Sequence, residues 1–211
     1  MTQRQAYSPI SLSTAGLSYG RGGLPLGADL DFSVSSGRCL LLRGPNGTGK
    51  TTLLLTLAGI VAPLAGSFAL DGVDPETGPQ LHYCGHRNAI KPRLTVLENL
   101  VFWRALNGPT GIDPELALER VGLGDLEDLD AGYLSAGQSR RLALARLLVS
   151  ARPLWLLDEP TAALDVEGHG LVTTLIGEHL ALGGLVIAAT HDPIVLPDPA
   201  RLDTLTLSKS T

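Results

Sequence analysis

Cysteine is nearly missing from this 211-residue chain, and its scarcity removes several chemistries at once. Cys39 and Cys84 fall in separate segments, and neither has a second Cys or a His at metal-ligand spacing. They read as reduced, buried structural thiols rather than as a disulfide framework or a redox pair. Long hydrophobic runs are lacking too: nothing approaches the roughly eighteen uninterrupted apolar residues of a membrane span. Met1 to Pro9 is polar and has no apolar core of the secretory kind. Work at a membrane is therefore expected to come through a partner. Positive charge is in deficit, with a net charge of −5. Arg38, Arg43, Arg140 and Arg141 are too sparse for the basic patch that nucleic-acid phosphates demand, so no nucleic-acid partner is expected.

What the chain does have is Gly44-Pro45-Asn46-Gly47-Thr48-Gly49-Lys50-Thr51-Thr52, which fits the phosphate-binding pattern G-x-x-x-x-G-K-[ST]. The glycines let backbone N–H groups approach phosphate oxygens closely. Lys50 is expected to reach the β- and γ-phosphates, and the Thr51 hydroxyl to ligate Mg²⁺. Arg38 to Arg43 reads as a short buried strand and Thr51 to Leu57 as a helix, whose positive N-terminal end favours an anion. Strand, glycine loop and helix follow one another as the motif requires.

In chain order, residues 10–19 and 30–34 alternate apolar and polar side chains like half-buried strands, with Gly20-Arg21-Gly22-Gly23 as a turn between them. Tyr19, well upstream of the glycine loop, is either an ordinary strand tyrosine or an aromatic that stacks on adenine. Gly66 to Gly72 and Gln80 to Cys84 are further strands. Thr95 and Glu98 form a capping box that opens a helix through Trp103 and Leu106. Asp113 and Pro114 open another, as cap and first helical residue. A second capping box, Ser135 with Gln138, precedes the apolar helix Leu142 to Leu148. Residues 92 to about 150 are thus mainly helical, an insert within an α/β core.

Leu154 to Leu157 is an apolar run ending in Asp158-Glu159, as a buried parallel strand delivers carboxylates to its ligand-binding end. Asp158 is placed to hold Mg²⁺ and Glu159 to take a proton from an attacking water. Leu185 to Thr190 is another buried strand, with His191 at its end where a γ-phosphate contact becomes available. Leu202, Leu205 and Leu207 suggest a closing strand followed by a polar tail.

The order of these motifs resembles the ATP-binding subunits of ABC transporters over nearly the whole chain. The resemblance implies a single P-loop NTPase domain spanning 1–211, an α/β ABC-ATPase core with an N-terminal antiparallel β-subdomain and an inserted α-helical subdomain. It implies that Tyr19 is the adenine-stacking aromatic, Leu134 to Gln138 the signature, Ala163-Leu164-Asp165 the D-loop and His191 the switch histidine. It further implies a head-to-tail homodimer in which Ser135, Gly137 and Gln138 of one copy cover the ATP held by Lys50 of the other, with ATP and Mg²⁺ as cofactors. Glu159, His191 and Lys50 are then the catalytic groups. Two departures stand out: Ala136 replaces the first glycine of the usual signature, and the slot usually held by a glutamine falls on His86-Arg87. Gly85-His86, the stretch Leu94 to Leu100 and the run Leu134 to Leu147 resemble more narrowly the ATPases of heme-exporter complexes in bacterial cytochrome c maturation. That likeness implies integral membrane partners of the CcmB and CcmC kind and a peripheral position on the cytoplasmic face of the inner membrane. A non-transport ABC ATPase usually carries two cassettes or a long coiled-coil insertion, and a GTPase switch an Asn-Lys-x-Asp motif. The sequence has none of these.

Overall fold

The computed structural model describes residues 6–74, 76 and 78–208, so the outermost parts of the polar start and of the expected polar tail lie outside the described residues. The chain opens with β1 (Ser11–Arg21), which turns at Gly22-Gly23 into β2 (Leu24–Leu30), followed by the short β3 (Ser33–Ser35). Next come β4 (Cys39–Arg43), α1 (Lys50–Leu57) and β5 (Ala65–Asp71). β1 pairs antiparallel with β2, β3 and β5. The expected strand over 30–34 is split, because Thr14 exchanges bonds with the Phe32 backbone and its hydroxyl donates to the Leu30 carbonyl at 2.9 Å. β2 occupies 24–30, of which only Leu30 fell within an alternating signal.

Past β6 (Leu81–Cys84), the helices α2 (Val96–Asn107), α3 (Pro114–Arg120) and α4 (Ala136–Val149) follow in succession before β7 (Leu154–Asp158). Both capping boxes form, at Thr95/Glu98 and Ser135/Gln138, each closing two backbone donors that the first helical turn leaves open. Asp113 does not cap α3 with its side chain; its carboxylate lies 2.9 Å from the Arg104 guanidinium instead. α5 (Val166–Ala181) has weak helical propensity, with Gly168, Gly170, Gly177 and the β-branched run Val172 to Thr174. It forms because Val172, Leu175, Ile176 and Leu180 are buried in the core. β8 (Leu185–Ala189) and β9 (Leu202–Thr206) complete the second sheet, an all-parallel array in the order β6-β7-β8-β4-β9.

The period of two along the parallel strands divides the core. Leu41, Trp155, Leu157, Val186 and Ala188 face α2 to α5, while Leu40, Leu42, Leu156 and Ile187 face α1 and the antiparallel sheet. Each fully buried Leu or Ile contributes about 1.5–3 kcal/mol. Cys39 and Cys84 are both free and buried, and burial pushes the Cys39 thiol up to about 12. Because β4, β7 and β8 run parallel and are neighbours, the segments that follow them emerge along one edge of the sheet.

Candidate active site

That edge gathers the glycine loop after β4, the carboxylates ending β7 and the histidine after β8. Gly49 sits at φ 85°, and a Cβ there would meet the Tyr19 ring at 2.9 Å, so the last turn of the loop closes only with glycine. Thr48 is buried, and its hydroxyl donates to the Pro45 carbonyl at 3.0 Å, which braces the loop from beneath. Lys50, the first residue of α1, extends its ammonium along the loop to within 2.7 Å of the Gly44 carbonyl and 3.2 Å of the Pro45 carbonyl.

Around that ammonium the groups expected to be catalytic converge. His191 Nε2 lies 3.4 Å from Lys50 Nζ and 2.8 Å from Asn46 Oδ1. Glu159 Oε2 accepts from the His191 backbone N–H at 3.3 Å, and Oε1 lies 3.7 Å from His191 Nε2. Glu159 itself has φ 48°, a left-handed conformation costing a non-glycine residue about 1–3 kcal/mol. It is held by a 2.7 Å bond from its N–H to the Ala189 carbonyl. The Thr51 hydroxyl donates to Asp158 Oδ2 at 2.9 Å. Asp158 is 2 % exposed, and burial holds its carboxyl above the ordinary range; the Thr51 hydrogen bond opposes that shift, and the neighbouring Glu159 adds to it. Asn46, Gly47, Gly49, Lys50, Thr51, Thr52, Asp158 and Glu159 border one cavity of about 400 Å³.

Two features of that cavity depart from expectation. Tyr19 does not border it: the ring is 1 % exposed, packed beneath Gly27 and Gly49, with its hydroxyl 3.5 Å from the Thr48 carbonyl and burial pushing it up to about 12. The ring therefore has no free face for adenine. The reason is a bulge in β1: between Ala15↔Ser67 and Ser18↔Ala65 it carries one residue more than β5, with Gly16 at φ 54°, so that Leu17 and Tyr19 follow Leu12 and Thr14 inward and the simple alternation breaks. A second shift, from Tyr19↔Gly27 to Gly20↔Pro25, leaves Leu26 of β2 unpaired. Arg21 and Leu26 border the cavity instead. No sequence signal distinguished Arg21 from a turn residue, since the bulge arises only from cross-strand pairing. His86, from the slot where glutamine was expected, also borders the cavity.

Ser135, Gly137 and Gln138 are not brought to the glycine loop of their own chain. They border a separate cavity with Arg141, Ala163, Leu164 and Asp165. Ala163 there has φ 64°, and Asp165 caps α5 by accepting from the Gly168 N–H at 2.8 Å, a bond that holds its carboxyl below the usual range.

The exposed Thr51 hydroxyl paired with the buried Asp158 carboxylate fits a hard divalent cation that takes its remaining oxygens from phosphates and water. Among the described residues no cluster of three or more His, Cys, Asp or Glu is arranged for a metal; Thr51 and Asp158 are the hydrogen-bonded oxygen pair the cavity presents.

Residues 28–162 match the family described as ABC transporter. The cytochrome c biogenesis ATP-binding export protein CcmA of Rhodopseudomonas palustris (strain HaA2) is 51% identical over 187 residues, covering 88% of this chain and 94% of that protein. The protein of the same name from Bradyrhizobium diazoefficiens is 53% identical over 173 residues, covering 81% of this chain and 86% of its own length. A solved structure, the putative ABC transporter (ATP-binding protein) from Pyrococcus furiosus, superposes with a TM-score of 0.79 at 25% identity, over 93% of this chain and 97% of that one.

Proposed function

We propose, from the premise that this chain belongs to the ABC transporter family and is an ATP-binding and ATP-hydrolysing member of it, that it drives an export complex for cytochrome c biogenesis. Heme is the species handled by the complex in this reading. One observation carries the hydrolytic part: Lys50, Thr51, Asp158, Glu159 and His191, drawn from three distant stretches, converge at the carboxyl ends of β4, β7 and β8. The relatives' printed role supports the export part.

In this mechanism the loop N–H groups and Lys50 bind the β- and γ-phosphates. Thr51 and Asp158 would hold Mg²⁺, which supplies charge neutralisation at the transferred phosphoryl group. Arg21 and Leu26 seat the base. Glu159 accepts the proton of the attacking water, and His191, oriented through its backbone bond to Glu159, contacts the γ-phosphate. The signature face of a second copy, Ser135 with Gly137 and Gln138, covers the same phosphates. Their separation from the glycine loop within one chain supports that arrangement. Among the described residues no helix is long and apolar enough to cross a membrane. Attachment to the cytoplasmic face of the inner membrane then runs through CcmB- and CcmC-like subunits.

The test is made in cells that depend on this protein for cytochrome c. A tagged copy purified from detergent-extracted membranes is expected to bring a multi-span subunit with it, and its ATPase activity per chain to fall on dilution. Lys50→Ala is expected to abolish covalent cytochrome c formation. Parental cytochrome levels with Lys50→Ala, or activity per chain independent of dilution, would overturn the reading.

A further inference from the structure

Arg140 lies near the start of α4 and is 2 % exposed. A guanidinium has five N–H donors, and all of them are used here, none on a carboxylate. Nε donates to the Pro160 carbonyl at 3.1 Å, and Nη2 to the carbonyls of Asp158 at 2.8 Å and Glu159 at 2.7 Å. Nη1 turns the other way, to the Gly85 carbonyl at 2.8 Å and Asn88 Oδ1 at 3.0 Å. A buried charge satisfied only by neutral oxygens is a costly arrangement, and three of those oxygens are consecutive carbonyls spanning the catalytic carboxylates.

The other two belong to the turn that carries His86 into the nucleotide cavity. Arg146, farther along the same helix, clasps that turn again through the Asn88 carbonyl at 2.7 Å. A cavity of about 200 Å³ bordered by His86, Asn88, Ala136 and Arg140 lies beside the guanidinium. The 85–88 turn therefore abuts open space and can shift without unpacking the core.

We propose that Arg140 is a positioning residue for hydrolysis: it locks the left-handed backbone of Glu159 and transmits displacement of the 85–88 turn to that carboxylate. The planar fork suits the task, since it reaches a strand edge and a turn at once, which the point charge of a lysine does not. The inference rests on Glu159 being the group that activates water.

The test compares Arg140→Lys and Asn88→Ala with the parental protein in ATPase rate, affinity for a fluorescent ATP analogue and melting temperature. A misplacement near 1 Å at a reacting group lowers turnover by up to about 100-fold, so kcat is expected to fall at least about tenfold for Arg140→Lys while affinity stays within about twofold. Asn88→Ala removes one of the two bonds on the turn side and leaves the one to the Gly85 carbonyl, so a smaller fall in kcat at unchanged melting temperature is expected. A folded Arg140→Lys with parental kcat, or one that loses affinity and kcat in equal proportion, overturns the proposal. If Arg140→Lys does not fold, Asn88→Ala decides it: parental kcat refutes the link. Glu159→Gln in the same assay separates the premise, because parental turnover there removes Glu159, whatever the Arg140 variants do.

Discussion

Replacing Glu159 by Gln isolates one function of one group. Nearly everything that holds the residue survives the change: its N–H still reaches the Ala189 carbonyl at 2.7 Å, and its own carbonyl still accepts from Arg140 at 2.7 Å. An amide oxygen can still accept from the His191 N–H, which lies 3.3 Å from Oε2. The left-handed backbone is equally strained in both proteins, so that cost cancels. What disappears is the negative charge and the capacity to take a proton. General-base participation accounts for about 10²- to 10⁴-fold in rate, roughly 3–5 kcal/mol of barrier. Binding moves the other way if it moves at all. The charge of Glu159 is one cause of the raised Asp158 carboxyl, and removing it eases the ionisation that Mg²⁺ coordination needs. Phosphate release at saturating Mg²⁺ and ATP is therefore expected to fall by about two to four orders of magnitude, with ATP affinity unchanged or tighter. A turnover within about threefold of the parental value would refute the assignment of Glu159 as base.

Arg21→Ala is expected to raise KM for ATP by about 2- to 30-fold, the worth of a stacked cation at roughly 0.5–2 kcal/mol, with kcat unaltered. Arg21→Tyr is expected to restore KM, and tripolyphosphate, which has no base, to compete equally well with all three proteins. Weaker competition against the Ala variant would instead make Arg21 a phosphate contact. The raised Asp158 carboxyl gives a pH signature in the nucleotide-free protein. The folded chain holds more protons than the unfolded chain between the ordinary carboxylate value, 3.8, and the higher folded value, so stability falls as pH rises through that window. Asp158→Asn is expected to remove that decline; the lowered Asp165 carboxyl is common to both proteins and cancels in the difference. Melting-temperature curves of the two proteins that stay parallel across the window would contradict it.

How much of this was readable beforehand depended on whether a signal was local. Thr95 with Glu98, and Ser135 with Gln138, announce helix starts because the donors they close lie within three residues. The apolar runs of β4, β7 and β8 announce buried parallel strands because both faces are covered. Asp113 and Pro114 announce the start of α3 where it lies, but the Asp113 carboxylate makes no cap bond because a cation from another helix, Arg104, draws it off. α5 was silent because its glycines and β-branched residues oppose helix, and only the buried face formed with the sheet outweighs them.

The amino-acid sequence by itself singled out the residues to which the phosphate chemistry is assigned in the proposed function, since the glycine loop, Lys50, Thr51, the Asp158-Glu159 pair and His191 each belong to a short pattern whose chemistry is set by type and spacing. Tertiary structure alone decided what stands beside them. A bulge of β1 at Gly16 against β5 turned Tyr19 inward, and a shift in the β1–β2 pairing left Leu26 unpaired, with Arg21 and Leu26 bordering the cavity, because strand register is a property of two segments and not of one. Arg140 read only as one of four arginines too sparse for a basic patch, since the five oxygens that surround it come from two stretches 70 residues apart and meet only in the folded chain.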